Sequence, residues 1–184
     1  MSDSAPKVLV PMLQGFEEIE LVSIVDILRR AGLSVVLAGR DECVRGAHNI
    51  TLKAECKLDS LNIGEFSAIA LAGGYEGMQN LCKDSFVIKA LQDLNASGKL
   101  VAAICASPIV LGKANVLKNK FSCYPSCENA IDSSAKYCAE KVVVDENIIT
   151  ANGPASASLF ALAIVEYLLG KNKRDEIAKE LLLD

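Results

Sequence analysis

The stretch KLVAAICASPI, residues 99–109, is an apolar run that ends in one cysteine, Cys105, followed by Ala106, Ser107 and Pro108. A side chain on a tight strand-to-helix turn is held out over the edge of a sheet. Such a turn tolerates only small flanking residues, as the nucleophile elbow of serine hydrolases shows. Ala103, Ala106 and Ser107 meet that demand. Unpaired amides at the start of the next helix would favour a thiolate, the reactive form of cysteine. Free cysteines are also among the most often buried residues. Taken alone, the stretch serves packing and nucleophilic chemistry equally.

Three other groups of residues could do chemistry beside it. Gly73-Gly74 could present backbone N–H groups to a developing oxyanion, or could simply turn the chain. In GFEEIE, Glu17, Glu18 and Glu20 surround the start of a helix, where carboxylates suit the dipole without any catalytic role. A carboxyl directed into an apolar pocket would instead hold its proton near neutrality and could shuttle it. The sequence leaves open which of the three points inward. His48 is the only histidine, in the polar segment RGAHN, and reads as surface. The seven cysteines are odd in number and irregularly spaced, with no C-x-x-C, which argues against a disulfide framework or a structural metal site.

The elements that must position these residues follow from apolar spacing. Residues 8–10 and 33–38 read as strands flanking a helix over 17–31, with apolar residues at 21, 24, 25 and 28, Arg29 and Arg30 in its last turn, and Gly32 beyond. Residues 43–52 carry turn signals and predict a small hairpin. A third strand over 68–72 ends in Gly73-Gly74. Asp84 caps a helix running to Asn95, and 100–104 is a fourth strand. Residues 108–114 read as a helix with proline in its first turn and Ser107 as its cap. A short strand is expected over 121–124 and a hairpin over 142–150. A long apolar helix runs from Pro154 to Gly170, and a last helix spans 174–183. Strands that alternate with helices and are apolar throughout predict an α/β fold, a three-layer α/β/α sandwich of flavodoxin-like type around a mostly parallel sheet, as one domain over 1–184. Cys105, Gly73-Gly74 and the GFEEIE segment then all fall at the carboxyl ends of strands, where open α/β sheets bind ligands.

Of the 184 residues, 51% are apolar and 23% charged, enough to bury a full core. A net charge of -4 gives no basic field for nucleic acid. The longest apolar segment, 155–169, is broken by Ser156, Ser158 and Glu166, so no membrane span is expected. MSDSAPK has no apolar signal core, and the expectation is a cytoplasmic protein.

Together the motifs resemble the ThiJ/PfpI superfamily, in particular its parkinsonism-associated deglycase branch, often called DJ-one. The resemblance runs nearly end to end through GFEEIELVSIVDILRRAG (15–32), VRGAHNITL (44–52), LAGGYEGMQNL (71–81), AAICASP (102–108) and NGPASASLFALAIVE (152–166). It implies that Cys105 is a catalytic nucleophile and Glu20 the protonated glutamate beside it, with Gly73, Gly74 and the Ala106 amide forming the pocket for a substrate oxygen. It implies a homodimer whose first helix and hairpin lie near the interface, bringing Arg30 and His48 toward the mouth of the site. The implied activity needs no cofactor or metal. It is that of a glyoxalase turning methylglyoxal into lactate, with related deglycase repair of early glycation adducts on proteins and nucleotides.

Two departures stand out. Tyr124, before Pro125, occupies the place of a histidine in the animal members, and a tyrosine is a poor base near neutral pH. Ala106 follows the cysteine where the protease-like branch has histidine, which counts against a peptidase. The alternatives are an oxidative-stress sensor and redox-regulated chaperone acting through Cys105, or a binding domain without turnover. Cys123 or Cys127 could serve as a resolving thiol, though packing is the simpler reading of both.

Overall fold

The computed structural model describes residues 5–183. β1 (Lys7–Met12) leads into α1 (Glu18–Arg30), which returns the chain to β2 (Ser34–Gly39). The two strands pair in parallel from Lys7 opposite Ser34 to Met12 opposite Gly39. β3 (Cys43–Arg45) and β4 (Thr51–Lys53) form the expected hairpin, and β5 (Cys56–Lys57) pairs with β2. β6 (Ala68–Leu71) continues through α2 (Tyr75–Lys83) and α3 (Ser85–Ala96) to β7 (Leu100–Ile104) and α4 (Pro108–Lys113). β8 (Lys120–Phe121) and β9 (Lys136–Tyr137) make a separate two-stranded sheet. β10 (Val142–Asp145) and β11 (Ile148–Ala151) form an antiparallel pair, followed by α5 (Ala157–Leu169) and α6 (Lys171–Glu180).

The main sheet has the order β10-β11-β7-β6-β1-β2-β5, parallel except for β10. Its strands are apolar on both faces because both faces are covered. Val8, Val10, Ala68, Ala70, Ala102 and Ile104 join the core that α1, α5 and α6 cover. Leu9, Ile69, Leu71, Val101 and Ala103 join the core beneath α2, α3 and α4. The period-two alternation of each strand thus divides its side chains between two cores.

From β1 the chain moves outward to β2, then returns to place β6 on the other side of β1. This reversal opens a crevice beyond the carboxyl ends of β1 and β6, the usual ligand position in such sheets. α1, with Glu18 and Glu20 in its first turn and Arg29 and Arg30 in its last, is oriented as its dipole favours.

The differences from expectation are local. α2 begins directly after Gly74, where apolar spacing predicts no element; nine residues, with only Met78 and Leu81 as large buried anchors, are too few for a clear period. Ser107 does not cap α4: its hydroxyl donates to the Ala72 carbonyl at 2.6 Å, tying β7's turn to the end of β6. Of residues 121–124 only Phe121 is in a strand, and it enters β8 with Lys120. α6 starts three residues earlier than its pattern suggested, because Gly170, at φ +85°, breaks α5 and lets the next helix begin at once.

Asp84 caps α3 as expected, accepting the Phe86 and Val87 amides at 3.0 and 3.1 Å. It also takes a two-pronged hydrogen bond from Arg40 at 2.7 and 2.8 Å, which joins the loop after β2 to α3. Burial alone would raise its pKa, but Arg40 and the two amides outweigh burial and hold it below the ordinary value. Replacing Asp84 by Ala is expected to cost about 1–2 kcal/mol, seen as a lower urea midpoint at unchanged slope. Because the carboxylate is the favoured form, the deficit should fade as pH falls through the Asp84 pKa.

Candidate active site

Cys105 sits just past β7 with φ +65°, a left-handed conformation that is strained for a residue with a side chain. The surroundings fix it from both sides. Its N–H donates to the Ala151 carbonyl at 2.9 Å, and its carbonyl accepts the Tyr124 N–H at 2.8 Å. The Ser107 N–H closes the turn on the Ile104 carbonyl at 3.0 Å. The side chain is 9% exposed, at the boundary of the core beneath α1 and α5. Small residues are needed because the turn is crowded. A Cβ on Gly73 would lie 2.7 Å from the Cys105 Cβ and 2.8 Å from a Glu20 carboxyl oxygen.

Of the three glutamates near α1's start, Glu20 is the one that turns inward, with no exposed surface. Two hydrogen bonds bring it there. The Glu17 N–H donates to the Gly73 carbonyl at 3.0 Å, and the Gly73 N–H donates to Glu20 Oε2 at 2.6 Å. Glu20 Oε1, equally buried, meets no donor. Burial is the main cause that raises the Glu20 pKa, to about 7, against the opposing pull of the Gly73 amide and the Cys105 hydrogen bond; the charge of Glu17 adds to the rise. A proton on Glu20 removes the unmet acceptor and creates a donor for the neighbouring sulfur.

The Cys105 thiol is pushed above its ordinary value by burial first, then by the Glu20 charge and the hydrogen bond to Glu20, while the Ala106 and Gly74 amides act in the opposite sense. The two side chains therefore titrate as one unit. With the proton on Glu20, the charge that opposes the thiolate is gone. The sulfur then faces a carboxyl O–H and the amides of Ala106 and Gly74. This is the form in which Cys105 can attack an electrophile.

The other expected site residues fall in different places. The amides of Gly74 and Ala106 act on Cys105 in the sense that lowers its pKa, and the Gly73 amide is taken by Glu20. Tyr124 is tied to Cys105 through its backbone. Its ring is half exposed and lies over Gly153, where a Cβ would come within 3.3 Å of Tyr124 Cδ2. Arg30 ends α1, ten residues and about 15 Å of helix from Glu20; it pairs with Asp26 at 2.7 Å and does not reach the site within this chain. His48 lies on the surface of the hairpin turn, beside Glu18 and Glu17 at 3.1 and 3.5 Å. Burial alone would raise the Glu18 pKa, but backbone amides and the His48 ring together hold it below its ordinary value.

Cys123 is buried, and its thiol is pushed up to about 12, by burial first and then by Cys127 and Glu128, which favours the protonated thiol. The Ala151 carbonyl and the Gly153 position were invisible in the sequence. Both act through backbone, for which NGPAS carries no chemical signal.

A doubly wound sheet with a strained cysteine elbow, backed by a buried glutamate at the crevice, defines a thiol-centred α/β protein. Residues 6–167 match the DJ-1/PfpI family, and the chain belongs to it. It is 38% identical to protein dj-1beta of Drosophila melanogaster over 187 residues, covering 100% of this chain and 98% of that one. The crystal structure of Drosophila DJ-1beta superposes with a TM-score of 0.94 over 98% of this chain and 100% of that one, at 36% identity. A solved structure described as Toxoplasma gondii DJ-1, oxidized, gives a TM-score of 0.92 at 37% identity, covering 97% of this chain and 98% of that one. The glutathione-independent glyoxalase DJR-1.2 of Caenorhabditis elegans is 32% identical over 169 residues, 91% of this chain and 90% of that one.

The Glu20 assignment sets a pH dependence of stability. A carboxyl whose pKa is raised in the fold contributes stability that is fully present below its unfolded value, near 4.5, and is lost as pH rises through about 7. Glu20→Gln keeps the shape without the charge. Wild type should lose on the order of 3 kcal/mol relative to Glu20→Gln between mildly acidic and mildly alkaline pH. Urea unfolding of both proteins across that range measures it. Parallel pH curves would show that Glu20 does not hold a raised pKa.

Proposed function

We propose that the protein is a cofactor-independent glyoxalase that acts on methylglyoxal-type dicarbonyls through Cys105. The observation that carries this reading is the packing of a buried, protonatable Glu20 and the strained Cys105 elbow against one glycine, Gly73, where a Cβ would lie 2.8 Å from the carboxyl oxygen and 2.7 Å from the cysteine Cβ. The name of the C. elegans relative supports the same chemistry. In this reading the thiolate adds to the aldehyde carbon and forms a hemithioacetal. The new oxyanion is met by the amides of Gly74 and Ala106. Glu20 then moves a proton from the aldehyde carbon to its neighbour, converting the hemithioacetal to a thioester of the hydroxy acid. Water cleaves the thioester, releasing lactate and the thiol. One water is consumed overall, and no electrons leave the substrate pair, which is why no redox cofactor is needed. Tyr124, half exposed over Gly153, lines the mouth and does not supply the base.

Deglycase action on proteins and nucleotides extends the same chemistry to adducts that release the dicarbonyl, so capture of free methylglyoxal accounts for it without a further site. The proposal includes a cytoplasmic homodimer. Among the described residues no helix is long and apolar enough to cross a membrane. Ile19, Val22 and Ile50, all exposed near the start of α1 and the hairpin, offer an apolar face suited to a second copy. A second reading, oxidation sensing through Cys105, draws on the same sulfur, since the donors that stabilise a thiolate also fit a sulfinate; the oxidized Toxoplasma structure is in keeping with it.

Lactate formation from methylglyoxal is the test. Cys105→Ala should abolish turnover, and Glu20→Gln should lower kcat by about 100-fold or more. Turnover that survives the loss of Cys105 would refute the mechanism. For the second reading, limiting peroxide followed by peptide mass analysis should place the first two-oxygen mass gain on Cys105; prior oxidation of Cys43, the exposed thiol, would exclude a sensor built on this site.

A further inference from the structure

Beyond the dicarbonyl chemistry, we propose that Glu17, Glu18 and His48 form a binding site for one divalent transition-metal ion, best suited to zinc, where α1 meets the β3–β4 hairpin. One oxygen from each carboxylate and a ring nitrogen of His48 all lie within 4.8 Å of one another. His48 Nδ1 is 3.1 Å from Glu18 Oε2 and 3.5 Å from Glu17 Oε2. Around a tetrahedral zinc with bonds of about 2.0–2.1 Å, neighbouring ligand atoms sit about 3.3–3.4 Å apart. Two edges of a three-ligand face are therefore already close to their bound lengths.

Glu18 is oriented by backbone. Its Oε1 accepts the His48 N–H at 2.7 Å and the Ile50 N–H at 3.3 Å, which leaves Oε2 toward the imidazole. Partners of this kind hold a metal-binding carboxylate in place. Gly46 makes the arrangement possible, because any Cβ there would overlap the Glu18 carboxylate. The Glu17 and Glu18 side chains are 12% and 7% exposed, so two nearly buried carboxylates converge on one nitrogen. Like charges in that position call for a cation. A divalent ion with two carboxylates and a neutral imidazole gives a neutral site. His48, 71% exposed, leaves the fourth position open to water. Imidazole with carboxylate suits zinc and its neighbours, whereas magnesium takes an octahedron of oxygens.

Such an ion would fasten the hairpin turn to the helix turn that carries Glu20. The expectation of no metal rested on cysteine spacing, and these three ligands lie 30 residues apart with no motif to join them. A protonated His48 could bridge the carboxylates instead, and the test separates the two.

The chain has one histidine, so tag-free protein gives a single pair of imidazole proton signals in NMR. Zinc added to chelator-treated protein near neutral pH should shift those signals and saturate at one equivalent. Glu17→Gln should weaken the zinc effect by about tenfold or more, and Glu18→Gln likewise; the Glu17 variant alone decides the matter if the Glu18 variant does not fold. Cobalt in place of zinc should give visible bands without thiolate charge transfer. The proposal is overturned by imidazole signals that stay fixed while thiols take up the metal, by an unchanged titration in Glu17→Gln, or by a His48 that titrates as a bridging imidazolium and ignores zinc. All of these readouts are independent of dicarbonyl turnover, so loss of the glyoxalase reading would leave this site standing and the reverse holds too.

Discussion

The hydrogen bond from the Gly73 amide to Glu20 is the constraint on which the site depends. It spans 53 residues of sequence and joins the first turn of α1 to the loop after β6, with no exposed surface on the carboxyl group. A buried carboxyl without partners would be expensive to keep, and one amide satisfies only one oxygen. Burial is what inclines the group to hold its proton, and the second oxygen, left without a donor, does nothing to offset it. The absence of a side chain at position 73 is part of the same constraint, because the space a Cβ would need is filled by Cys105 and Glu20. One glycine thus sets the distance between acid and nucleophile, and helix, loop and strand end all meet at it.

The elbow works in the same way from the other side. A cysteine at φ +65° would relax if its neighbours allowed it. They do not, because its two backbone groups are held by Ala151 of β11 and by Tyr124 in the segment after β8, and Ser107 is fastened to Ala72. Strain at the reactive residue is maintained by the ordinary hydrogen bonds of the sheet edge. Because Ser107 is used this way, α4 starts without a side-chain cap, and its six residues make it a minor source of positive potential. The amides of Ala106 and Gly74 pull the thiol pKa down, against the larger opposing effect of burial. Burial, which raises the thiol pKa, means that those donors act in a poorly screened environment.

The layers and the alternation of strands with helices were legible because the central strands are apolar on both faces and several helices are bounded by a cap or a glycine. Asp84, Gly32 and Gly170 act where their residue types say they should. Cys105 was legible as an elbow because small residues flank it. The choice of Glu20 over Glu17 and Glu18 was not readable from spacing, since all three lie within one turn of α1. It depends on which face of that turn meets Gly73, and the resemblance to a family supplied it. The role of the Gly73 amide was misjudged for the same reason: a glycine pair announces available N–H groups but not which acceptor reaches them first. α2, β5 and β9 were missed, and β8 was misplaced, because they are shorter than the periods that reveal helices and strands.

Glu17 and Glu18 complete this division of labour within one helical turn. Glu18 turns toward the hairpin and is held as a carboxylate by amides of the turn, whereas Glu20, two residues on, turns toward the sheet and meets a single amide. The same residue type thus has opposite proton affinities because burial dominates at Glu20, whereas at Glu18 the donors outweigh it. Glu17 precedes both, and its charge raises Glu20 while its oxygen faces His48. Whatever cation neutralises the Glu17–Glu18 pair therefore acts within one turn of Glu20. The hairpin, remote from Cys105 in sequence, is in this way part of the electrostatic surroundings of the site.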